Sequence, residues 1–244
     1  MVNIIEYSQL QEVKLQNDAT QFVSQIKLIL NGAVIKPKEI EVYYYKEGEF
    51  SDESVHRNEL QQNNMNHFYV HRNGKTKIDR YKGGNRAGID FVVSNERGVY
   101  YSYLIRSAVV NDKIYYGPHN VLEAIRISSN LDYKGIEDNA VVVEINDDSY
   151  DVILSQRINL GKGFVESKLR AVVLDNDFIN SKYRDKEVLI IEKIRKDNLS
   201  KEKALLFAKK YLGYIPAVIK NLRLTTTTLT PSISQVCCRR NAQF

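Results

Sequence analysis

Residues 36–45 alternate between two kinds of side chain with a period of two, and this pattern constrains the fold most. That period is typical of a β-strand, whose successive side chains point to opposite faces. The apolar face comprises Ile40, Val42 and Tyr44. The polar face comprises Glu39, Glu41, Tyr43 and Tyr45. The segment therefore predicts a strand with one face on a core and with carboxylates and tyrosines on the other.

Further strand patterns outnumber the helical ones. Strands are predicted at residues 68–71, 89–94, 99–110, 140–145 and 167–174. Helices are predicted at residues 19–30 before Gly32, at residues 118–125 after Gly117, and at residues 200–212 before Gly213. Because the strands do not alternate with helices, we expect an α+β fold. It would be a single domain with a largely antiparallel mixed sheet and flanking helices.

Length and composition agree with one domain that buries a core. A chain of 244 residues can form one large domain or two small ones. Hydrophobic residues make up 43% and charged residues 27%, a balance that excludes an intrinsically disordered chain. No break precedes the Thr- and Ser-rich end. We therefore expect one domain over residues 1–222 and a disordered tail over residues 223–244.

The sequence indicates a compartment only by what it lacks. No apolar run approaches the ~18 residues that span a membrane, and the N-terminus does not have the pattern of a signal peptide. Cys237 and Cys238 are neighbours, a spacing that fits neither a disulfide framework nor a zinc site. We expect a cytoplasmic protein (nuclear in a eukaryote) without a membrane partner.

Positive charge is concentrated in one segment. The formal net charge is +5, but residues 72–86 carry six cations against a single acid, Asp79. The cations are Arg72, Lys75, Lys77, Arg80, Lys82 and Arg86. Gly74 and the pair Gly83-Gly84 indicate that the segment bends. The pattern fits either a solvated hairpin tip or a loop that contacts nucleic-acid phosphates.

Known cofactor and metal motifs are missing from the sequence. There is no Gly-rich phosphate loop, no Gly-x-Ser-x-Gly and no His-Glu-x-x-His. The four histidines lack metal-ligand spacing, so we predict no metal and no cofactor. The polar face of residues 36–45 has two interpretations. It is a solvent-facing strand surface, or a carboxylate base beside an aromatic platform that stacks a planar ligand.

Five short segments occur in a recognisable order. They read Glu-Ile-Glu-Val-Tyr at 39–43, Asp-Glu-Ser-Val-His at 52–56, Phe-Tyr-Val-His at 68–71, Leu-Ile-Arg-Ser-Ala at 104–108, and a Gly-Pro helix start at 117–125. They resemble the alkyladenine (3-methyladenine) DNA glycosylase family, which has Glu-Thr-Glu-Ala-Tyr, Asp-Glu-Ala-Ala-His, Leu-Tyr-Val-Tyr, Leu-Leu-Arg-Ala-Leu and a Gly-Pro helix there. Weaker similarities lie at residues 156–158 and 169–170. The resemblance covers roughly residues 19–175.

The resemblance implies two catalytic residues. Glu41 matches the general base that activates a water molecule to attack the sugar carbon bearing the damaged base. Arg106 matches an arginine that positions this carboxylate and its water. The family also has a tyrosine that intercalates into the base stack, and here that position is Gly74.

The resemblance also implies a base-binding pocket. Tyr43 and His56 match two groups that sandwich the flipped purine, and His71 stands where the family has a third aromatic residue, a tyrosine. Asp90 stands where the family has an asparagine that screens purines, and an aspartate there can accept a hydrogen bond from an exocyclic amino group. Tyr69 lies on the same face as His71 in a regular strand, where it lines the pocket or packs beneath it.

The implied function is that of a monofunctional DNA glycosylase in base excision repair. It would flip alkylated or deaminated purines out of damaged DNA, duplex or single-stranded, and hydrolyse the N-glycosidic bond without a cofactor. Two alternatives use the same scaffold. One is glycosidic hydrolysis on single-stranded nucleic acid or modified nucleosides, and the other is a non-catalytic nucleic-acid-binding module.

Overall fold

A computed structural model describes residues 4–146, 150–158 and 167–221. Over these residues the chain forms ten strands and six α-helices. The strands are β1 Ile26–Leu30, β2 Ala33–Lys46, β3 Phe50–Ser51, β4 Phe68–Val70, β5 Ile89–Val92, β6 Val99–Val110, β7 Lys113–Tyr116, β8 Val142–Ile145, β9 Asp151–Ser155 and β10 Arg170–Leu174. The helices are α1 Ile4–Gln25, α2 Pro118–Ser129, α3 Tyr133–Asp138, α4 Lys186–Lys196, α5 Lys201–Leu212 and α6 Ala217–Lys220.

All ten strands belong to one sheet in the order β4-β5-β6-β2-β1-β8, with β3 and β10 also pairing with β2. The β7 strand pairs with the end of β6 as a hairpin, and β9 pairs with β10. The sheet curls into a half-barrel, and helices flank it. The predicted single-domain α+β fold is confirmed at this level. The prediction of a mixed sheet is wrong, because every strand pair within the described ranges is antiparallel.

The prediction of a helix over residues 19–30 is partly wrong. The helix α1 starts much earlier and ends at Gln25, and residues 26–30 form β1. Asn31 and Gly32 have φ angles of 45° and 83°, and they join β1 to β2 as a two-residue hairpin turn. Left-handed residues at both central positions match the twist of paired strands, so this turn favours a hairpin over a helix end.

The other predicted elements are present with shifted ends. The strand predicted at residues 36–45 is part of β2, and the others correspond to β4, β5, β6, β8 and β10. Pro118 opens α2, and Ser200 caps α5, which ends at the left-handed Gly213. The elements β1, β3, β7, β9, α3, α4 and α6 were not predicted. In the case of β7, a second left-handed pair, Asn111 and Asp112, makes the hairpin turn.

Two hydrophobic clusters share strand β10. Ala171 and Val173 face the larger cluster, which α1 and α2 cover. Val172 and Leu174 face a second cluster, formed with β9, α4 and α5. Because alternate residues of a strand point to opposite faces, β10 is buried on both sides. Strand β10 also pairs with β2, where Arg170 is the partner of Glu41 and Val172 the partner of Glu39.

The predicted tail at residues 223–244, including Cys237 and Cys238, lies outside the described residues. Among the helices of the described ranges, none has both the length and the apolar character needed to cross a membrane.

Candidate active site

A β-bulge between the two longest strands positions the first pair of candidate residues. In the β2–β6 ladder Glu39 pairs with Ser107 and Ile40 pairs with Ile105, so Arg106 is the extra residue. A bulge changes the direction of a side chain relative to the regular pleat. Here the bulge brings Arg106 into contact with both carboxylates of the polar face: its Nε is 3.2 Å from Glu39 Oε1, and its Nη1 is 3.3 Å from Glu41 Oε1.

The carboxylate of Glu41 is fully buried and accepts hydrogen bonds on both oxygens. Oε1 accepts from the backbone N–H of Ile158 at 2.7 Å, in addition to the Arg106 contact. Oε2 accepts from the Tyr43 hydroxyl at 3.0 Å. An ionised carboxyl group offers about four acceptor positions. Two hydrogen bonds and one ion pair therefore leave Oε2 with a single donor, the Tyr43 hydroxyl, and with capacity for a further donor such as a water molecule.

Tyr43 is a fixed donor to Glu41. Burial, followed by the neighbouring Glu41 carboxylate, raises the pKa of Tyr43 well above its usual value, so the hydroxyl keeps its proton. The guanidinium of Arg157 lies 4.9 Å from the centroid of the Tyr43 ring and forms a 2.6 Å ion pair with Asp52. Arg157 also donates to the carbonyl of Val42 at 2.9 Å. These contacts hold Arg157 against the tyrosine ring, and Arg157 is not among the residues that line the small pocket next to Glu41.

The candidate base-binding residues meet in one small pocket next to Glu41. The pocket is lined by Tyr43, Ser54, His56, Gln61, His71 and Asp90. Tyr69 does not line it: this tyrosine is fully buried beneath, with its hydroxyl 3.4 Å from His56 Nδ1. Tyr69 thus packs beneath the pocket, which is one of the two placements that the sequence left open.

Asp90 forms the floor of the pocket as a buried, ionised acceptor. Burial alone would raise its pKa, but His71, His56 and the Ser102 hydroxyl hold that pKa below the usual range. One oxygen accepts from His71 Nε2 at 2.7 Å. The other accepts from Gln61 Nε2 at 2.9 Å and from Ser102 Oγ at 2.8 Å. Because the carboxylate is ionised, His71 Nε2 must carry a proton to donate this bond.

His56 is the neutral partner across the pocket. Its pKa is lowered to about 4 by burial and then by the nearby His71, while Lys82 contributes in the same direction. Lys82 Nζ lies 2.8 Å from His56 Nε2, and an ammonium group can only donate, so this ring nitrogen is the acceptor. The His56 and His71 rings meet edge to face with centroids 4.6 Å apart.

The pocket is closed in this conformation. Its volume is about 40 Å³, which is room for roughly three water molecules and not for a purine. The edge-to-face contact of His56 with His71 leaves no gap for a planar ring between them. A base can enter only if one histidine moves. His56 is held by the half-buried Lys82 and by a long, 3.4 Å contact with the Tyr69 hydroxyl, whereas His71 forms a 2.7 Å bond to a buried carboxylate.

The six candidate phosphate-contacting cations divide into two groups. Four of them reach the surface: Lys75, Lys77, Arg80 and Arg86. Arg72 instead is buried and forms an ion pair with Glu137, so it acts within the fold. Lys82 is half-buried and faces His56. The segment at residues 72–86 is a hairpin-like loop closed by a bridge between Arg72 and Tyr81, and we call it the basic hairpin.

Several site residues were missed from sequence. Gln61 is the clearest case, because Asn58 and Gln61 form a capping box around a short 3₁₀ helix, Glu59–Gln61. The Asn-x-x-Gln spacing is a local signal that could have placed this turn. Ser102 and Ile158 have no such signal, since their roles depend on contacts with residues far away in the chain.

No group of three or more His, Cys, Asp or Glu side chains among the described residues is arranged to hold a metal ion. No protein-family model matches the chain, and the search of curated proteins found no significant match.

Proposed function

We propose that the chain hydrolyses the N-glycosidic bond of damaged purines in DNA, with Glu41 as the general base. The observation that carries this proposal is the state of the Glu41 carboxylate. Two hydrogen bonds and the Arg106 ion pair orient it, and Oε2 can accept one donor besides the Tyr43 hydroxyl, next to a pocket with aromatic walls and a polar floor. This arrangement suits a carboxylate that must take a proton from a positioned water molecule.

For a purine made cationic by alkylation, the reaction requires one proton transfer and one bond exchange; a neutral purine such as hypoxanthine must also take up a proton as it leaves. Glu41 takes a proton from the water molecule while the water oxygen bonds to the anomeric carbon. The bond from that carbon to the purine nitrogen breaks, and its electron pair leaves with the purine. The sugar passes through an oxocarbenium-like state, which the nearby carboxylate stabilises electrostatically. Arg106 acts as a positioning residue, since it bridges Glu39 and Glu41. General-base assistance of this kind contributes about 10²–10⁴-fold to the rate.

The pocket supplies the contacts for a flipped base. When His56 moves aside, a purine can stack on the His71 and Tyr43 side of the pocket, at a gain of about 1–3 kcal/mol per base. The ionised Asp90 accepts hydrogen bonds at the pocket floor, which favours purines with an N–H directed there. Flipping costs least for damaged or mispaired bases.

The resemblance to the alkyladenine glycosylase family supports this proposal, and so do contacts between its segments. Asp52 belongs to the second segment and Arg157 to one of the weaker ones, and the two form a fully buried ion pair beneath Tyr43. Segments more than 100 residues apart thus meet at the polar face of β2. We propose on these grounds that the half-barrel is of the glycosylase type.

The test is single-turnover base release from oligonucleotides that carry 1,N6-ethenoadenine, hypoxanthine or 7-methylguanine. Glu41→Gln keeps the size of the side chain and an oxygen acceptor, but cannot take the proton. We expect release to fall about 10²–10⁴-fold with DNA binding retained. The control is Glu53→Gln, an exposed glutamate near the pocket, which should behave as wild type. Binding without release by the wild-type protein would instead indicate a non-catalytic module.

A second candidate, hydrolysis on single strands, is favoured by one observation. Gly74 stands where the resemblance places an intercalating tyrosine, and a Cβ there would lie 2.4 Å from Asp79 Oδ2. The Gly74 carbonyl also accepts from Asn58 Nδ2 at 3.0 Å, so this backbone is held in place. A side chain at this position would have to displace the Asp79 carboxylate, which accepts from the backbone N–H and the hydroxyl of Thr76. Release from single-stranded but not from duplex oligonucleotides would establish this candidate.

A further inference from the structure

A second cavity lies beside Glu39 and Arg106, the two charged side chains next to Glu41. Its volume is about 490 Å³, within the range of small-molecule sites. Strands β2 and β6, the start of α2 and residues 182–185 enclose it. We call it the cationic chamber, because its lining includes Arg106, Arg170, Lys182 and Arg184 against two carboxylates, Glu39 and Asp185.

The inner cations of the chamber are partly neutralised. Arg170 is buried and fully engaged: its Nε donates to Glu39 at 2.7 Å, and its two terminal nitrogens donate to Asp185. Arg106 uses Nε and Nη1 for Glu39 and Glu41, while Nη2 has no hydrogen-bond partner among the described residues. Burial raises the pKa of Glu39, and the two arginines, Arg170 before Arg106, oppose this shift.

The outer cations are not neutralised. Lys182 and Arg184 are exposed at the rim, and neither forms an ion pair with a described carboxylate. Asp175, an acid in the neighbouring cavity, is already paired with Lys38 at 2.7 Å. The formal balance of the chamber is therefore two positive charges, and three donor groups remain available for an anion: Arg106 Nη2, Lys182 Nζ and the Arg184 guanidinium.

Arg106 connects the chamber to the candidate catalytic carboxylate. The same guanidinium that lines the chamber touches Glu41, and Ile158, whose N–H holds Glu41, lines the chamber as well. Tyr43, which lines the aromatic pocket, donates to the other oxygen of Glu41, so the two oxygens of this carboxylate contact one lining residue of each cavity. In a nucleotide the sugar links the base to the phosphate. A sugar at Glu41 would likewise link a base in the aromatic pocket to a phosphate in the chamber.

We propose that the cationic chamber binds the phosphate group of the nucleotide whose base enters the aromatic pocket. This inference rests on the proposed function, and it adds that substrates must carry a phosphate. Guanidinium and ammonium groups recognise phosphate oxygens through charge-assisted hydrogen bonds. The phosphate is either a diester within a DNA strand or the monoester of a free nucleotide.

The test removes the two rim cations in a Lys182→Ala/Arg184→Ala variant, both of which are exposed, so the fold should be retained. The matched control is Arg195→Ala/Lys196→Ala, which removes one arginine and one lysine exposed at the end of α4, outside the chamber. Three hypoxanthine ligands are compared: a single-stranded oligonucleotide, deoxyinosine 5′-monophosphate and deoxyinosine. Binding is measured by fluorescence anisotropy for the oligonucleotide and by calorimetry for the small ligands.

We expect the chamber variant to bind the phosphate-bearing ligand about tenfold more weakly or worse, and deoxyinosine as wild type does. The dependence of oligonucleotide affinity on salt should flatten by about 0.7–1.4 in logarithmic slope. Loss confined to the oligonucleotide identifies the diester, and loss that includes the monophosphate identifies a phosphate monoester as a sufficient ligand. Affinities and salt slopes equal to those of the control variant overturn the proposal.

The binding measurement separates this proposal from the glycosylase proposal. If the wild-type protein releases no base but the chamber variant still loses phosphate-dependent affinity, the chamber stands and the glycosylase reaction fails. If base release depends on Glu41 but the chamber variant binds every ligand as the control does, the reaction stands and the chamber assignment fails.

Discussion

The ion pair between Arg72 and Glu137 should be the most sensitive point of the basic hairpin. Glu137 accepts from the Arg72 guanidinium, from the Tyr81 hydroxyl at 2.9 Å and from the backbone N–H of Val70 at 3.0 Å. The Arg72 and Glu137 side chains are 7% and 4% exposed, so water cannot replace the lost partner. Glu137→Ala therefore leaves a buried guanidinium without its counter-charge.

Breaking a buried ion pair from one side costs about 3–5 kcal/mol in the free energy of unfolding. For a chain of this size each kcal/mol shifts Tm by roughly 2–4 °C, so we expect Tm to fall by about 6–20 °C. The measurement is urea and thermal unfolding followed by circular dichroism. It compares wild type with Glu137→Ala and with Asp138→Ala, the next residue of the same helix.

Asp138 provides the control because its ion pair with Lys134 is at the surface, with 57% and 73% of the two side chains exposed. Such an exposed pair contributes little to the free energy of unfolding, because solvent screens it. The double variant Arg72→Met/Glu137→Leu removes both charges together and should recover most of the stability. Equal losses for Glu137→Ala and Asp138→Ala would refute the reasoning, and so would a double variant no more stable than Glu137→Ala.

Two further predictions concern pH and backbone conformation. Because the pKa of His56 is about 4 in the folded protein and 6.5 ordinarily, the unfolded chain binds the extra proton between these values. The free energy of unfolding should thus decrease by roughly 3 kcal/mol as the pH falls from about 6.5 to about 4. The test compares the unfolding midpoints of wild type and His56→Gln over this pH range. If the variant keeps the pH dependence of the wild type, the prediction is contradicted. Gly32→Ala should lower the free energy of unfolding by roughly 1–2 kcal/mol, because Gly32 has a φ of +83°. The control is Gly83→Ala, which should lower it by less than about 0.5 kcal/mol, because Gly83 has a φ of −110° and open space around it. Urea unfolding compares the two, and equal costs would exclude the hairpin turn as the cause.

The sequence predicted those elements whose signals are local. The alternation over residues 36–45 marks a strand because each side chain's environment depends on its own position in the pleat. Pro118 and Gly213 mark helix ends through backbone conformations that few other residues adopt. The end of α1 was misplaced although Asn31-Gly32 is an equally local signal. The apolar residues before it also fit a helical spacing, and Gly32 is equally compatible with the end of a helix.

The contacts that complete the candidate site could not be predicted from local patterns. Arg106 reaches Glu39 and Glu41 only because a bulge adds one residue to β6, and a bulge depends on the pairing of two distant strands. Arg72 and Lys82 have the same charge as the other cations of the basic hairpin, yet they turn inward. Their partners, Glu137 and His56, lie elsewhere in the chain, and nothing near either cation in sequence distinguishes it.

The polar face of β2 shows why burial matters more than composition here. From sequence, this face was either a solvent-facing surface or a catalytic one. In the fold it is neither solvated nor apolar: Glu39 and Glu41 are buried, and the covering residues Ile158 and Arg170 come from more than 110 positions further along the chain. Burying two neighbouring carboxylates is costly unless each is compensated, as Arg106 and Arg170 do here. Such costly arrangements are concentrated at functional sites, so the face is a candidate active site on physical grounds that do not depend on the family resemblance.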